Sequence, residues 1–389
     1  MKKNKKRIYL DYAATTPVDK RVLKEMLPFF YEKFGNTASS HSFGREAKKV
    51  LEKCREKMAQ ILGVEKEEIF FTSSATESNN TILKGVAFSQ KKRGNHIIIS
   101  SIEHSSVRNP ALWLKKRGFK ITQLPVDKYG MVKSSVLLRN ITKKTILVSV
   151  IHASNEIGTL QPISKLGEIC KKKKILFHTD ASQSFGKIPF KIKDLNVDFL
   201  TASSHKMYGP KGAALLYKRK GIEIESLLHG GGHEMGFRSS TVNLPAIVGF
   251  VKAAQICQKE MKKESKRLIK LRDKLIKKVL KEIPKSYLTG HPKERLPNHA
   301  SFYFEGVEGE ALATDLDLKG FAVSTGSACA SGKLEPSKVL LALGLGPEKA
   351  HGSLRISLGR WTKEKEIDEF FEALKESIER LRKISGFSL

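Results

Sequence analysis

The chain has 389 residues, 40% hydrophobic and 29% charged, with a formal net charge of +31. That length outgrows one small core and suits a large α/β unit with a second domain. No apolar run approaches a membrane span. The basic start, Met1 to Arg7, lacks the apolar stretch and cleavage site of a secretory leader. A cytoplasmic protein with no membrane contact is therefore expected.

Taken in order, Ile8 to Leu10 reads as a strand and Asp11-Tyr-Ala-Ala-Thr-Thr-Pro17 as a tight connector. Asp19 to Tyr31 predicts a helix, Gly35 to Ser40 a small polar loop, and Arg45 to Leu62 an amphipathic helix that ends near Gly63. A rhythm then sets in. Ile69 to Phe71 precedes Thr72 to Ser78, and His96 to Ile99 precedes Ser100 to His104. Ile146 to Ile151 precedes His152 to Glu156, and Ile175 to Phe177 precedes His178 to Gln183. Val197 to Leu200 precedes Thr201-Ala-Ser-Ser-His-Lys-Met-Tyr-Gly209. Apolar strands alternating with helices predict a mostly parallel sheet covered on both faces. Ligands bind such sheets beyond the carboxyl ends of the strands. Each run here ends in a polar cluster, so all of them point to one shared site.

After Gly230-Gly-Gly232 the texture changes. Leu244 to about Val279 reads as a long lysine-rich helix leading into a second domain. His299 to Phe304 and Leu354 to Ser357 read as strands of that smaller α+β domain, and Lys363 to Arg382 as its closing helix.

Four cysteines occur, none in a CxxC pair, so neither a zinc site nor a dithiol motif is suggested. Cys54, Cys170 and Cys257 lie in helix-like contexts that suit packing. Cys329 lies in Ser324-Thr-Gly-Ser-Ala-Cys-Ala-Ser-Gly332, a run of small residues that suits a travelling loop. The excess of lysine lies on helix faces, without interleaved aromatics or an RNA-binding signature. General surface charge and contact with an acidic partner or tRNA both remain open; direct nucleic-acid binding is not favoured.

The polar clusters supply the parts that a pyridoxal phosphate site requires. Lys206, held between a strand end and a glycine turn, suits an amine that condenses with a carbonyl. Asp180 is placed to keep a pyridine nitrogen protonated. Ser73-Ser-Ala-Thr-Glu77 opens a helix whose free N–H groups attract phosphate, and Ser203 and His205 add donors beside it. His104 could lie flat against a ring, and Arg355 suits bidentate capture of a carboxylate. Each has a plainer reading alone: surface lysine, strand-end aspartate, helix cap, satisfied histidine, surface ion pair. Their convergence favours the site.

Several ordered motifs carry a resemblance that runs nearly end to end. They are Tyr9-Leu-Asp-Tyr-Ala-Ala-Thr-Thr-Pro17, Ser74-Ala-Thr-Glu-Ser78, Glu103-His104, His152 to Gly158 and Asp180-Ala-Ser-Gln183. Ser203-Ser-His-Lys206, Gly209-Pro-Lys-Gly212, Arg238-Ser-Ser-Thr241, Ser327-Ala-Cys329, Leu334-Glu-Pro336 and Arg355-Ile-Ser-Leu-Gly359 continue the series. The chain resembles cysteine desulfurases of the NifS/IscS type, in the class V branch of the fold-type I pyridoxal phosphate enzymes. Thr37-Ala38 and Ser240 depart from the usual family pattern.

The resemblance implies an α/β fold: a large domain with a mostly parallel seven-stranded sheet, plus a smaller α+β domain. It implies an N-terminal segment, 1–15, packed with the small domain, a large domain over 16–255, and a small domain over 256–389 that carries a mobile cysteine loop, 324–334. It implies pyridoxal 5′-phosphate bound as an aldimine to Lys206. Asp180 would pair the ring nitrogen, His104 would stack on the ring, and Asn155 and Gln183 would contact its hydroxyl. Ala75, Thr76, Ser203 and His205 would hold the phosphate, and Thr241 would reach it from the partner of a homodimer. Asn36, Asn155 and Arg355 would bind the carboxylate of L-cysteine. Cys329 would be the nucleophile that leaves as a persulfide, with His104 helping to deprotonate it. The sulfur would pass to an iron-sulfur scaffold or a tRNA-thiolation protein. No intrinsic metal is expected, although the Cys329 persulfide could transiently ligate a [2Fe-2S] cluster shared with a scaffold. The alternatives are a selenocysteine lyase, another class V lyase or transaminase, and, more remotely, a basic RNA-binding protein on a decayed enzyme fold.

Overall fold

The computed structural model describes residues 7–326 and 335–386. Twelve strands occur among them: β1 (Ile8–Tyr9), β2 (Ile69–Thr72), β3 (His96–Ser100), β4 (Lys120–Leu124), β5 (Thr145–Ser149) and β6 (Leu176–Asp180). They continue with β7 (Phe199–Ser203), β8 (Ala214–Lys218), β9 (Ser286–Leu288), β10 (His299–Phe304), β11 (Phe321–Ala322) and β12 (Ser353–Ser357).

Seven strands form one sheet in the order β2-β8-β7-β6-β5-β3-β4. Every neighbouring pair is parallel except β8 with its two partners. Because β8 is antiparallel to both β2 and β7, those two run the same way. The carboxyl ends of β2, β3, β5, β6 and β7 therefore share one edge. Helices cover both faces, which is why β3, β5, β6 and β7 are buried along their whole length. β4 and β8 were not read as strands from the sequence. β4 is a half-exposed edge strand without a continuous apolar run, and β8 follows the Gly209 turn so closely that it reads as part of the loop.

The predicted helix over Asp19 to Tyr31 is two helices, Lys20–Met26 and Pro28–Tyr31. Pro28 lacks the N–H that would continue the first one. The predicted strand to Ile151 ends at Ser149.

A second core surrounds the antiparallel sheet β12-β10-β9. The chain start joins it: β1 pairs in parallel with β11, and Ile8 and Leu10 pack with Phe302, Leu354 and Phe370. The helix Leu244–Glu282 belongs to both cores. Its first half buries Phe250 and Cys257 against the large sheet, and its second half buries Leu268, Leu275 and Val279 against the small one. Cys54, Cys170 and Cys257 are buried free thiols. Among the described residues no helix is long and apolar enough to cross a membrane.

Candidate active site

Five strand ends of the large sheet and β12 of the small one enclose a cavity of about 430 Å³, a size that suits a small cofactor with its substrate. A wider groove of about 800 Å³, lined by Arg21, Phe29 and Lys252, contains none of the residues expected at the site. Ala75, Thr76, His104, Asn155, Asp180, Gln183, Ser203, His205, Lys206 and Arg355 all line the smaller cavity. Asn36 and Thr241 do not. Asn36 is exposed, and its Oδ1 accepts the Ala38 N–H at 3.0 Å. Thr241 is exposed on the loop after Arg238. Cys329 lies outside the described residues.

Lys206 ends the short turn Ser204–Lys206 that follows β7. Its Nζ donates to the carbonyls of Ala13 at 2.8 Å and Ala14 at 2.6 Å, so the N-terminal connector receives the amine. Gly209 closes the turn because a Cβ there would meet Ser204 Oγ at 2.1 Å.

Asp180, buried at the end of β6, accepts the Ser182 N–H at 2.9 Å on Oδ1 and the Asn79 amide at 2.8 Å on Oδ2. Both oxygens of an acceptor-only group are thus held in place. Asn79 Nδ2 also donates to Ser106 Oγ at 2.8 Å, and that oxygen lies 2.7 Å from His104 Nδ1. His104 caps the helix Ser105–Lys115, its Nδ1 accepting the Ser106 N–H at 3.1 Å. Burial lowers the pKa of this imidazole, against the pull of Asp180.

At the other end of the cavity, Ser74 caps the helix Ala75–Ser89 by accepting the Glu77 N–H at 3.1 Å. The first-turn N–H groups have no acceptor within their own helix. Glu77 would oppose an anion at this helix end. Arg238 offsets it through Nε at 2.7 Å and Nη2 at 3.0 Å. Burial pushes the Glu77 pKa up, yet the bonds from Arg238 and Ser73 outweigh it and lower the pKa overall. His205 is driven down to about 4 by burial and then by Lys206, Lys211 and Lys187. It therefore stands as a neutral ring, its Nδ1 3.1 Å from Thr15 Oγ1.

Arg355, buried on β12, donates from Nη1 to the Asn155 carbonyl at 3.0 Å and from Nη2 to Asp11 at 2.8 Å. Its buried Nε has no partner among the described residues. Gln183 donates to the Ala13 carbonyl at 2.9 Å. Behind it, Lys187 donates to Gln183 Oε1 at 3.2 Å, with its own pKa lowered by burial to about 7.

These residues fit pyridoxal phosphate. The helix end with Thr76, Ser203 and His205 supplies phosphate donors. Asp180 would supply a fixed carboxylate for the ring nitrogen, and Lys206 the amine. The spare Arg355 Nε supplies a donor for a substrate carboxylate. Sequence reading missed Asn79, Ser106 and the Asp11 partner of Arg355. Asn79 and Ser106 sit in helices, where nothing in the local pattern separates them from solvated polar residues.

The family described as aminotransferase class-V matches residues 8–370. A cysteine desulfurase IscS from Clostridium botulinum (strain Hall) is 49% identical over 383 residues, covering 98% of this chain and 96% of the relative. Among solved structures, a NifS-like protein superposes with a TM-score of 0.91 at 42% identity, covering 96% of this chain and 100% of its own. A structure described as SspA in complex with cysteine superposes with a TM-score of 0.80 at 35% identity, covering 90% of this chain and 98% of its own.

Proposed function

This chain belongs to the class-V aminotransferase family, and we infer that it is a pyridoxal phosphate-dependent cysteine desulfurase. The observation that carries this reading is the convergence of Lys206, Asp180 and Arg355 on one cavity. When bound, the cofactor withdraws electrons from the substrate α-carbon. Asp180 holds a proton on the ring nitrogen and so keeps that withdrawal available. Ala75, Thr76, Ser203 and His205 hold the phosphate, and Asn155 and Gln183 orient the ring through its hydroxyl. His104, which lines the same cavity, would pack against the ring. Lys206 anchors the cofactor, and its Nζ then carries the substrate α-proton. Arg355 binds the substrate carboxylate, aided by Asn155; Asn36, exposed outside the cavity, is left out of that set.

The Cys329 thiolate then attacks the substrate sulfur. A sulfur–sulfur bond forms as the carbon–sulfur bond breaks, its electron pair stays on carbon, and reprotonation releases alanine. The persulfide on Cys329 passes to an acceptor, an iron-sulfur scaffold or a tRNA-thiolation protein, in the cytoplasm.

The working unit is a homodimer in which Thr241 reaches the partner's phosphate site. Two features support it: Thr241 lies outside its own cavity, and Leu27, Phe30, Tyr31, Phe34 and Phe43 leave large apolar side chains exposed near the chain start. We assign residues 16–255 to a large domain and 256–389 to a small one, with the first 15 residues packed on the latter.

Two variants test the activity. Cys329→Ala is expected to keep the yellow cofactor and lose sulfide release from cysteine. Lys206→Ala is expected to lose the borohydride-fixed link to the cofactor. Sulfide release by the first variant, or a fixed link in the second, would overturn the assignment.

A further inference from the structure

The direction of each hydrogen bond between Asp180 and His104 is decided by what the groups are able to donate. The Asp180 carboxylate only accepts, so the side-chain atom of Asn79 that faces it at 2.8 Å is the NH₂. The same NH₂ then faces Ser106 Oγ at 2.8 Å and donates to it. With its oxygen accepting, the Ser106 hydroxyl directs its hydrogen to His104 Nδ1, 2.7 Å away. The Ser106 backbone N–H, which only donates, points to the same Nδ1 at 3.1 Å. Two donors converge on Nδ1, so Nδ1 carries no hydrogen. The hydrogen of the neutral ring is on Nε2, the nitrogen left for the cavity that His104 lines.

We propose that Asn79 and Ser106 are positioning residues that hold His104 as the Nε2–H tautomer, so that its cavity face gives a hydrogen bond and takes no proton. On this proposal His104 does not deprotonate Cys329, contrary to what the family resemblance implies. A ring with Nε2 already protonated has no lone pair there to receive the thiol proton. Uptake at Nδ1 would break the bonds from both Ser106 donors. The cavity-facing N–H instead suits an electron-rich atom of substrate or cofactor. Burial of the ring, which lowers its pKa, works in the same direction. The inference rests on the cavity being the cofactor site, a reading that the borohydride experiment on Lys206 tests separately.

The test is ¹⁵N NMR of histidine-labelled holoenzyme at neutral pH, with the His104 signals assigned by their loss in His104→Gln. Wild-type protein is expected to show a protonated Nε2 and a bare, hydrogen-bonded Nδ1. Ser106→Ala removes one of the two donors and should lower the Nε2–H to Nδ1–H ratio about tenfold, the weight of one buried hydrogen bond. Ser106→Thr keeps the hydroxyl and should restore the ratio. A wild-type ring carrying its hydrogen on Nδ1 would overturn the proposal. So would a Ser106→Ala ratio equal to wild type in protein that keeps its cofactor absorbance. If Ser106→Ala fails to fold, the wild-type and Ser106→Thr spectra still decide the tautomer.

Discussion

The two walls of the cavity are prepared differently. On the large-sheet wall, Asp180, Asn79, Ser106 and His104 form a chain in which the Asn79 amide and the Ser106 hydroxyl already have their acceptors, while Asn79 Oδ1 has no partner among the described residues and His104 Nε2 is left for the cavity. Nothing there has to change partners when a ring is seated. On the small-sheet wall, Arg355 divides its charge between Asp11 and the Asn155 carbonyl and keeps Nε unused. On the proposed function, a substrate carboxylate that takes the fork of the guanidinium would displace Asp11 from Nη2. On the same reading, the first wall is expected to stay rigid as the cofactor arrives and the other to exchange contacts at each turnover. That is the division expected between a permanent group and a passing one.

The largest expected effect breaks the rigid wall. Asp180→Asn removes the charge that holds the ring nitrogen protonated and should cost about 10²–10³-fold in kcat. The cofactor absorption band should shift as well. Steady-state kinetics with the spectrum of the resting protein checks this; an unchanged kcat would remove Asp180 from the chemistry. Next comes the exchanging wall. Arg355→Lys gives up the planar fork and should raise KM for cysteine about 10- to 100-fold, the loss of one or two charge-assisted hydrogen bonds of about 1.5–3 kcal/mol. kcat should move far less, and a kcat loss with constant KM would place Arg355 elsewhere in the mechanism. The smallest effect has the opposite sign. Asp11→Asn removes the competing charge, and KM should fall about two- to fivefold, while the loss of one partner of a buried pair should also lower stability. A rise in KM would mean that Asp11 positions Arg355 instead of competing for it.

The rigid wall was half legible in the sequence. Asp180, Lys206, Ser203 and His205 stand directly after apolar runs, and a parallel sheet turns that position into an address. Asn79 and Ser106 have no such address. They lie one turn inside or at the start of helices, and only the packing of two helices onto one strand end brings them together. The second wall hides for a different reason. Asp11 and Arg355 are 344 positions apart and meet because the chain start runs beside β12, with Asp11 bridged to Ser357. No local period encodes that. The antiparallel β8 was missed because a strand beside the lysine turn looks like loop, although its reversal is what brings the end of β2 to the common edge.

The 39-residue helix Leu244–Glu282 spans about 58 Å at the usual rise per residue. It is the common beam of both cores, and the point between 255 and 256 falls inside it. A small lobe cut there would carry away more than half of the beam, including Cys257 of the large core, and leave the large lobe's layer ended by a raw helix terminus. It would also lose the N-terminal strand β1, which comes from the far end of the chain. In engineering terms the two lobes are not interchangeable cassettes. A chimera with a relative would have to exchange the whole beam and the first fifteen residues together with the small sheet, because those three pieces make one part.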